Sequence, residues 1–353
     1  MHIPDGYLSP ATCATLYTGA APFWYVALRR MRRKLNTQIV PLVSVFAAFS
    51  FIVMMFNLPL PGGTTGHAAA IGIAAIVLGP WASILAISIA LVIQAIFFGD
   101  GGITAIGANC LNMAVFGSLT AYGCYRMVAG RAPLNAPRRV VAAALAGYLS
   151  INVAALAAAI ELGLQPLLYR DSAGVPLYAP YPWRIAIPAI MAGHLTVAGL
   201  AEMVISAGVV GYLQRAEPSL LKLTAPGVDV SEIRPAGWRS TKPLWIALGV
   251  LMILTPLGIL AAGSAWGEWS ADEFSNPASR QQISAVSSNQ PAPAETPAGM
   301  RRLATFWTAP MPRYAPPFLK SASFGYLLSA FAGAGLIILS AIFAGWLLGS
   351  RGA

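Results

Sequence analysis

Residues 68–98 read AAAIGIAAIVLGPWASILAISIALVIQAIFF, an almost wholly apolar run of 31 residues whose division decides the fold. A helix crossing the hydrocarbon core of a bilayer needs about 20 residues, so the run is too long for a simple span. Gly79-Pro80 interrupts it, because proline has no N–H to give a helix and biases the preceding residue away from helical backbone. The sequence therefore predicts a short helix over 68–79 and a second over 81–98. Working outward, comparable apolar runs lie at 11–28, 39–59, 103–125, 140–163, 185–213, 243–263 and 324–347. Together they give nine spans.

Charge tests that division, since Lys and Arg in short loops gather on the cytoplasmic side. With nine spans and the N-terminus outside, fifteen basic residues fall inside: Arg29, Arg30, Arg32, Arg33 and Lys34; Arg126, Arg131, Arg138 and Arg139; Arg215, Lys222, Arg234, Arg239 and Lys242; and Arg351. Short outer segments hold only Arg170 and Arg184. Reading 68–98 as one span would put Arg126 to Arg139 on the wrong face.

Composition agrees. The 353-residue chain is 57% hydrophobic and 10% charged, against roughly 25% charge in soluble domains, which excludes a water-soluble globule. Its net charge of +10 sits between apolar runs, as loop charge does, and does not point to nucleic acid. The expected fold class is an all-α polytopic membrane protein with the N-terminus outside and the C-terminus cytoplasmic. It divides into a seven-helix body (1–214), a basic, Pro-punctuated cytoplasmic linker (215–242) and a two-helix extension (243–353) with a long outer loop, 264–320. The Ser/Pro/Ala/Gln-rich middle of that loop is expected to be disordered. Cys13, Cys110 and Cys124 form no CxxC pair and lie in apolar stretches, so neither a disulfide framework nor a zinc cluster is expected.

The opening segment is not read as a signal peptide, because its basic residues follow the apolar run. Met1 is expected to persist, since initiator Met is normally removed only before small residues and His2 is bulky. Of three histidines, His2 and His67 fall on the same outer side. A histidine at position 2 can chelate a divalent ion through the Met1 α-amine, its own deprotonated main-chain nitrogen and its imidazole, in five- and six-membered rings. Such a near-planar nitrogen set suits Ni(II) or Cu(II), and imidazole also suits cobalt and zinc. His67 could close the fourth corner, on a loop that Gly62, Gly63 and Gly66 let bend inward through positive φ. Equally open on position alone, His2 is a frayed terminus and His67 a water-exposed helix start.

Three stretches carry a family resemblance: MHIPDGYLSP (1–10), GTTGHAAAIGIAAIVLGPWAS (63–83) and FFGDGGITAIGANCLNMAVFG (97–117). They resemble the CbiM/NikM family, the substrate-capture membrane subunits of energy-coupling-factor transporters for cobalt and nickel. The resemblance implies that Met1, His2 and His67 ligate the metal, with Ni2+ or Co2+ as transported ligand and no resident cofactor. GSAWGEWSADEF (263–274) and the two-span tail are similar to the small CbiN/NikN accessory subunit. None of Lys34, Lys222, Lys242 and Lys320 follows a glycine, so the chain has no GxxxxGK[ST] phosphate loop. The resemblance implies partners that supply energy, a transmembrane coupling subunit and ATPase subunits, in the cytoplasmic (inner) membrane. The chain is thus expected to be a transport subunit and not an enzyme.

Other polar residues in the spans invite roles. His194 and Glu202 lie eight apart in one span and can relay a proton or fix packing. Asn109 and Asn112 can hold the inserted N-terminus or glue helices. Asp100 is either a cation-attracting carboxylate or a turn residue, and Met54, Met55 and Met113 read as core fillers. Two rival functions are a metal-sensing receptor without transport and an intramembrane metal-dependent enzyme, the latter weakened by the lack of HExxH.

Overall fold

The computed structural model describes residues 1–32, 39–222, 224–225, 238–261 and 263–349. Residues 226–237 of the expected linker, with Arg33, Lys34, Arg234 and Arg351, lie outside the described residues. The elements in order are α1 (Pro10–Arg32), α2 (Ile39–Met54), a hairpin of β1 (Leu58–Leu60) and β2 (Thr64–Gly66), α3 (Ile71–Leu78) and α4 (Pro80–Ile93). They continue with α5 (Ile106–Asn109), α6 (Ser118–Ala129), α7 (Pro137–Leu168), α8 (Trp183–Gly193), α9 (Gly199–Ala216) and α10 (Ser219–Lys222). The C-terminal part holds α11 (Trp238–Leu254), three short helices, α12 (Ala271–Ser275), α13 (Pro277–Val286) and α14 (Ala298–Leu303), and α15 (Ala322–Gly349).

The chain breaks at Gly79-Pro80. Gly79 takes φ +77° between α3 and α4, and Pro80 opens α4 where its missing N–H costs no helical bond. Widened π-helical turns at Gln94–Phe98, Cys110–Gly117 and His194–Ala198 extend α4, join α5 to α6 and join α8 to α9. Among the described residues five rods are long and apolar enough to cross a membrane: Pro80–Phe98, Pro137–Leu168, Trp183–Ala216, Thr241–Leu260 and Ala322–Ala344. A shorter apolar helix runs over Val40–Met54.

Helix α3 is the buried centre, with every residue from Ile71 to Val77 enclosed. Glycine is required at its crossing with α7, because a Cβ on Gly72 would lie 2.6 Å from the Gly147 Cα. The loop 264–320 departs from the expected disorder. Ser270 and Glu273 form a reciprocal capping box that starts α12, and Asn276 caps α13. Trp269, Phe274, Ile283, Met300 and Tyr314 are buried. These few large anchors, set in a polar background, bury enough apolar surface against the body to order a segment whose average composition reads as disordered.

Candidate metal centre

The first nine residues enter the protein as an irregular segment that turns at Asp5–Gly6 and is held by the body. Asn109 grips Ile3 from both sides: its Oδ1 accepts the Ile3 N–H (2.8 Å) and its amide donates to the Ile3 carbonyl (3.1 Å). The Asp5 carboxylate accepts the main-chain N–H groups of Ile103 and Thr104, and Gln165 accepts the Ser9 N–H at 2.9 Å. Gly102 donates its N–H to the Ile3 carbonyl. A side chain at Gly102 would run into the Asp5 backbone. Met1 and His2 are consequently buried, with 7% and 3% of their surface exposed.

The segment delivers His2 to His67. The two imidazoles stack with centroids 5.0 Å apart and planes 23° from parallel. In the hairpin turn Gly62 and Gly63 take φ +86° and +79°, as the sequence reading expects. Gly66 does not adopt positive φ; it sits in β2, where a Cβ would crowd Leu60 at 3.2 Å. His67 Nδ1 lies 3.0 Å from the Ala68 carbonyl, which can only accept, so Nδ1 carries the proton and Nε2 is left with a lone pair. That Nε2 is buried with no hydrogen-bond partner. Burial holds the His67 imidazole well below its ordinary range, reinforced by the Met1 amine and by His2, so it is a neutral donor at pH 7.

Two carboxylates face the other nitrogens. The Met1 amine pairs with Glu268 at 2.6 Å, and His2 Nδ1 stands 2.9 Å from Asp100 Oδ1, close but off the line of a hydrogen bond. Burial would raise the Asp100 carboxyl, but the His2 and His67 rings and the Tyr314 hydroxyl, which donates to Oδ2, hold it well below the usual carboxylate range. Burial and Asp100 push the Tyr314 phenol well up, so it remains a donor. A cavity of about 570 Å³ reaches this cluster, lined by His67 and Asp100 from the body and by Glu268, Trp269 and Tyr314 from the C-terminal part. Among the described residues no group of three or more His, Cys, Asp or Glu side chains is arranged to hold a metal. An ion bound between these two imidazoles therefore needs main-chain or terminal nitrogen as well.

The other polar residues sort differently. Asn109 holds the terminal segment, whereas Asn112 donates to Glu161 on α7 at 2.8 Å. His194 bonds its own helix through the Ile190 carbonyl, and Glu202 reaches α3, so the two are not paired. Met54, Met55 and Met113 lie in the apolar core. Glu268 and Tyr314 escape the sequence reading, since no spacing rule connects positions 267 or 214 residues from their partners.

A model of a family described as the cobalt uptake substrate-specific transmembrane region (CbiM) matches residues 2–220, and a PDGLE domain matches 241–350. The chain is 53% identical over 339 residues to the fused nickel transport protein NikMN of Rhodobacter capsulatus, covering 96% of this chain and 95% of that one. It is 45% identical over 287 residues to the probable fused nickel transport protein LarMN of Lactiplantibacillus plantarum, covering 80% and 82%. A crystal structure described as a transition metal transporter is 49% identical, with TM-score 0.57, covering 61% of this chain and 93% of that one.

Proposed function

Since the chain belongs to the CbiM family and carries a PDGLE domain behind the CbiM region, we propose that it is the substrate-capture subunit of an ATP-driven importer for Ni2+ or Co2+. The observation that carries this reading is the burial, in one spot, of the Met1 amine, the His2 ring and an unpartnered His67 Nε2. Four nitrogens take the ion from its water shell: the Met1 amine, the His2 main-chain and ring nitrogens, and His67 Nε2. For the chelate to close, the amine must leave Glu268 and His2 Nδ1 must turn from Asp100. Both carboxylates then remain beside the doubly charged ion and offset its charge. Nickel is favoured over cobalt by the nitrogen-rich, near-planar donor set. Two relatives named for nickel are 53% and 45% identical and a third, from Archaeoglobus fulgidus, 36%, while one named for cobalt, from Geobacter sulfurreducens, is 34% identical.

In this reading the body 1–214 has seven spans and the extension 243–353 has two, joined by a cytoplasmic linker. The capture site faces outside and the C-terminus lies in the cytoplasm of an inner membrane. ATP is hydrolysed by separate ATPase subunits acting through a transmembrane coupling subunit, because the chain has no phosphate loop of its own.

Two measurements test the reading. Acetylating the Met1 amine, or placing one residue ahead of it, should abolish Ni2+ binding to purified protein by calorimetry; unchanged affinity would remove the chelate. Reconstitution with coupling and ATPase subunits should then give ATP-dependent radiometal uptake. Binding without uptake would favour the receptor reading.

A further inference from the structure

Glu202 lies wholly buried inside the helical body, where an ionisable side chain is expensive unless fully engaged. It is engaged by backbone. Oε2 accepts the N–H groups of Ala69 and Ala70, both at 2.8 Å, and Oε1 accepts that of Gly72 at 3.0 Å. These donors belong to the start of α3, where a helix leaves N–H groups unpaired and favours negative charge.

The same few residues hold His67 in place. Ala70 takes φ +55° just before α3, a left-handed conformation that a residue with a Cβ adopts only when its surroundings impose it. The Glu202 carboxylate bridges donors on both sides of that turn. Ser50 on α2 donates to the Ala69 carbonyl at 2.6 Å, and the Ala68 carbonyl accepts a hydrogen bond from His67 Nδ1. Between His67 and α3 the main chain is thus tied to α2 and α9 at successive groups. Below this junction α9 and α7 close on α3, since a Cβ on Gly147 would meet the Glu202 carbonyl at 2.7 Å.

We propose that Glu202 is a positioning residue for metal capture: by gathering three main-chain N–H groups beside His67 it sets the aim of His67 Nε2 and makes helix α9 the element that holds this ligand in register. A shift of α9 against α3 then withdraws a ligand without touching the ion, a means of release within the body. The inference rests on His67 being a metal ligand, as proposed above.

The test is a double-mutant cycle of Ni2+ affinity on the purified full-length chain, with circular dichroism and thermal unfolding as controls. His67→Ala should lose affinity. Glu202→Gln replaces one acceptor oxygen by an NH2 group that faces a donor, and should weaken Ni2+ binding roughly 10–100-fold, the range for residues that orient metal ligands. The double variant should bind no worse than His67→Ala alone, and Ni2+-saturated Glu202→Gln should show altered d–d absorption. A merely structural role would instead lower the unfolding temperature and add its loss to that of His67→Ala, which overturns the proposal, as does full affinity in Glu202→Gln. If Glu202→Gln does not fold, Glu202→Asp takes its place; it keeps both oxygens one methylene short and should lose several-fold in affinity, again without adding to His67→Ala. Full affinity in Glu202→Asp, or additive loss, overturns the proposal equally. Unchanged affinity in His67→Ala would overturn the ligand reading itself, and this inference with it.

Discussion

The CbiM region and the PDGLE extension treat the terminal segment in different ways. The body holds main chain: Asn109 on Ile3, Gln165 on Ser9 and, across the site, Glu202 on the turn after His67. The extension supplies side-chain polarity: Glu268 on the Met1 amine and Tyr314 on Asp100. The body determines where the nitrogens are and sets Asp100 beside His2, and the extension adds a carboxylate at the Met1 amine and a hydroxyl on Asp100. Variants in the body should therefore damage affinity and fold together, while variants in the extension should change capture with the fold intact.

The largest effect is expected at Asn109→Ala. It leaves the buried N–H of Ile3 without a partner and its carbonyl with the Gly102 N–H alone, costing about 1–3 kcal/mol of stability, and should weaken Ni2+ binding roughly 100-fold by releasing the N-terminal segment. Thermal unfolding and calorimetry on one preparation would show whether the two losses travel together; a large affinity loss with an unchanged melting temperature would break the comparison.

Acid comes next. Nitrogen donors must be unprotonated to bind metal, so affinity should fall by about tenfold for each pH unit per displaced proton. His67 should not contribute to that fall near pH 6. Its depressed pKa keeps Nε2 free as the pH drops past the ordinary value of about 6.5, so the penalty of His67→Ala should be equal at pH 8 and pH 6. The same shift has the opposite bearing on stability. Below about pH 6.5 the unfolded chain takes up a proton that buried His67 refuses, and stability declines as pH falls. A His67→Ala penalty that shrinks steeply between pH 8 and pH 6 would contradict a neutral His67.

Glu268→Gln should slow Ni2+ association by roughly tenfold or less, through loss of a carboxylate facing the cavity, with unfolding unaltered. Stopped-flow measurement resolves it, and an effect larger than that of Asn109→Ala would reverse the ranking of the two regions. Smallest is Tyr314→Phe. It deletes one hydroxyl but keeps the ring stacked 4.9 Å from Phe98, so about 1 kcal/mol of stability and a few-fold change in affinity are expected. A change beyond tenfold would mean that Tyr314 does more than orient Asp100.

Much of this arrangement was legible in the linear chain. Gly79-Pro80 announced the break between α3 and α4 because proline chemistry is local. His2 and His67 could be assigned to one side because apolar runs and loop charges are additive along a sequence. Loop 264–320 reads as disordered on average composition, which hides its few large anchors. Its ordering depends on a handful of buried residues, Trp269, Phe274 and Ile283 among them, and the Trp269 carbonyl accepts the Tyr7 hydroxyl from 262 positions away. Local signals were nevertheless present: Ser270-x-x-Glu273 is a capping box and Asn276-Pro277 a helix start. Glu202 stands out in the sequence as a carboxylate within an apolar span, where its spacing sets it beside His194. Its true partners are main-chain N–H groups, which every residue carries and no sequence pattern marks.

The contact between Glu268 and the Met1 amine also bears on why the two regions share one polypeptide. A single partly buried ion pair between separate proteins would add little to their association, since desolvating both charges offsets their attraction. Covalent linkage turns that meeting into an intramolecular event, with an effective concentration that can reach the millimolar range for a short tether. Fusion thus keeps the carboxylate at the amine and adds to the packing of α15 against α2 and α4 in holding the two parts together.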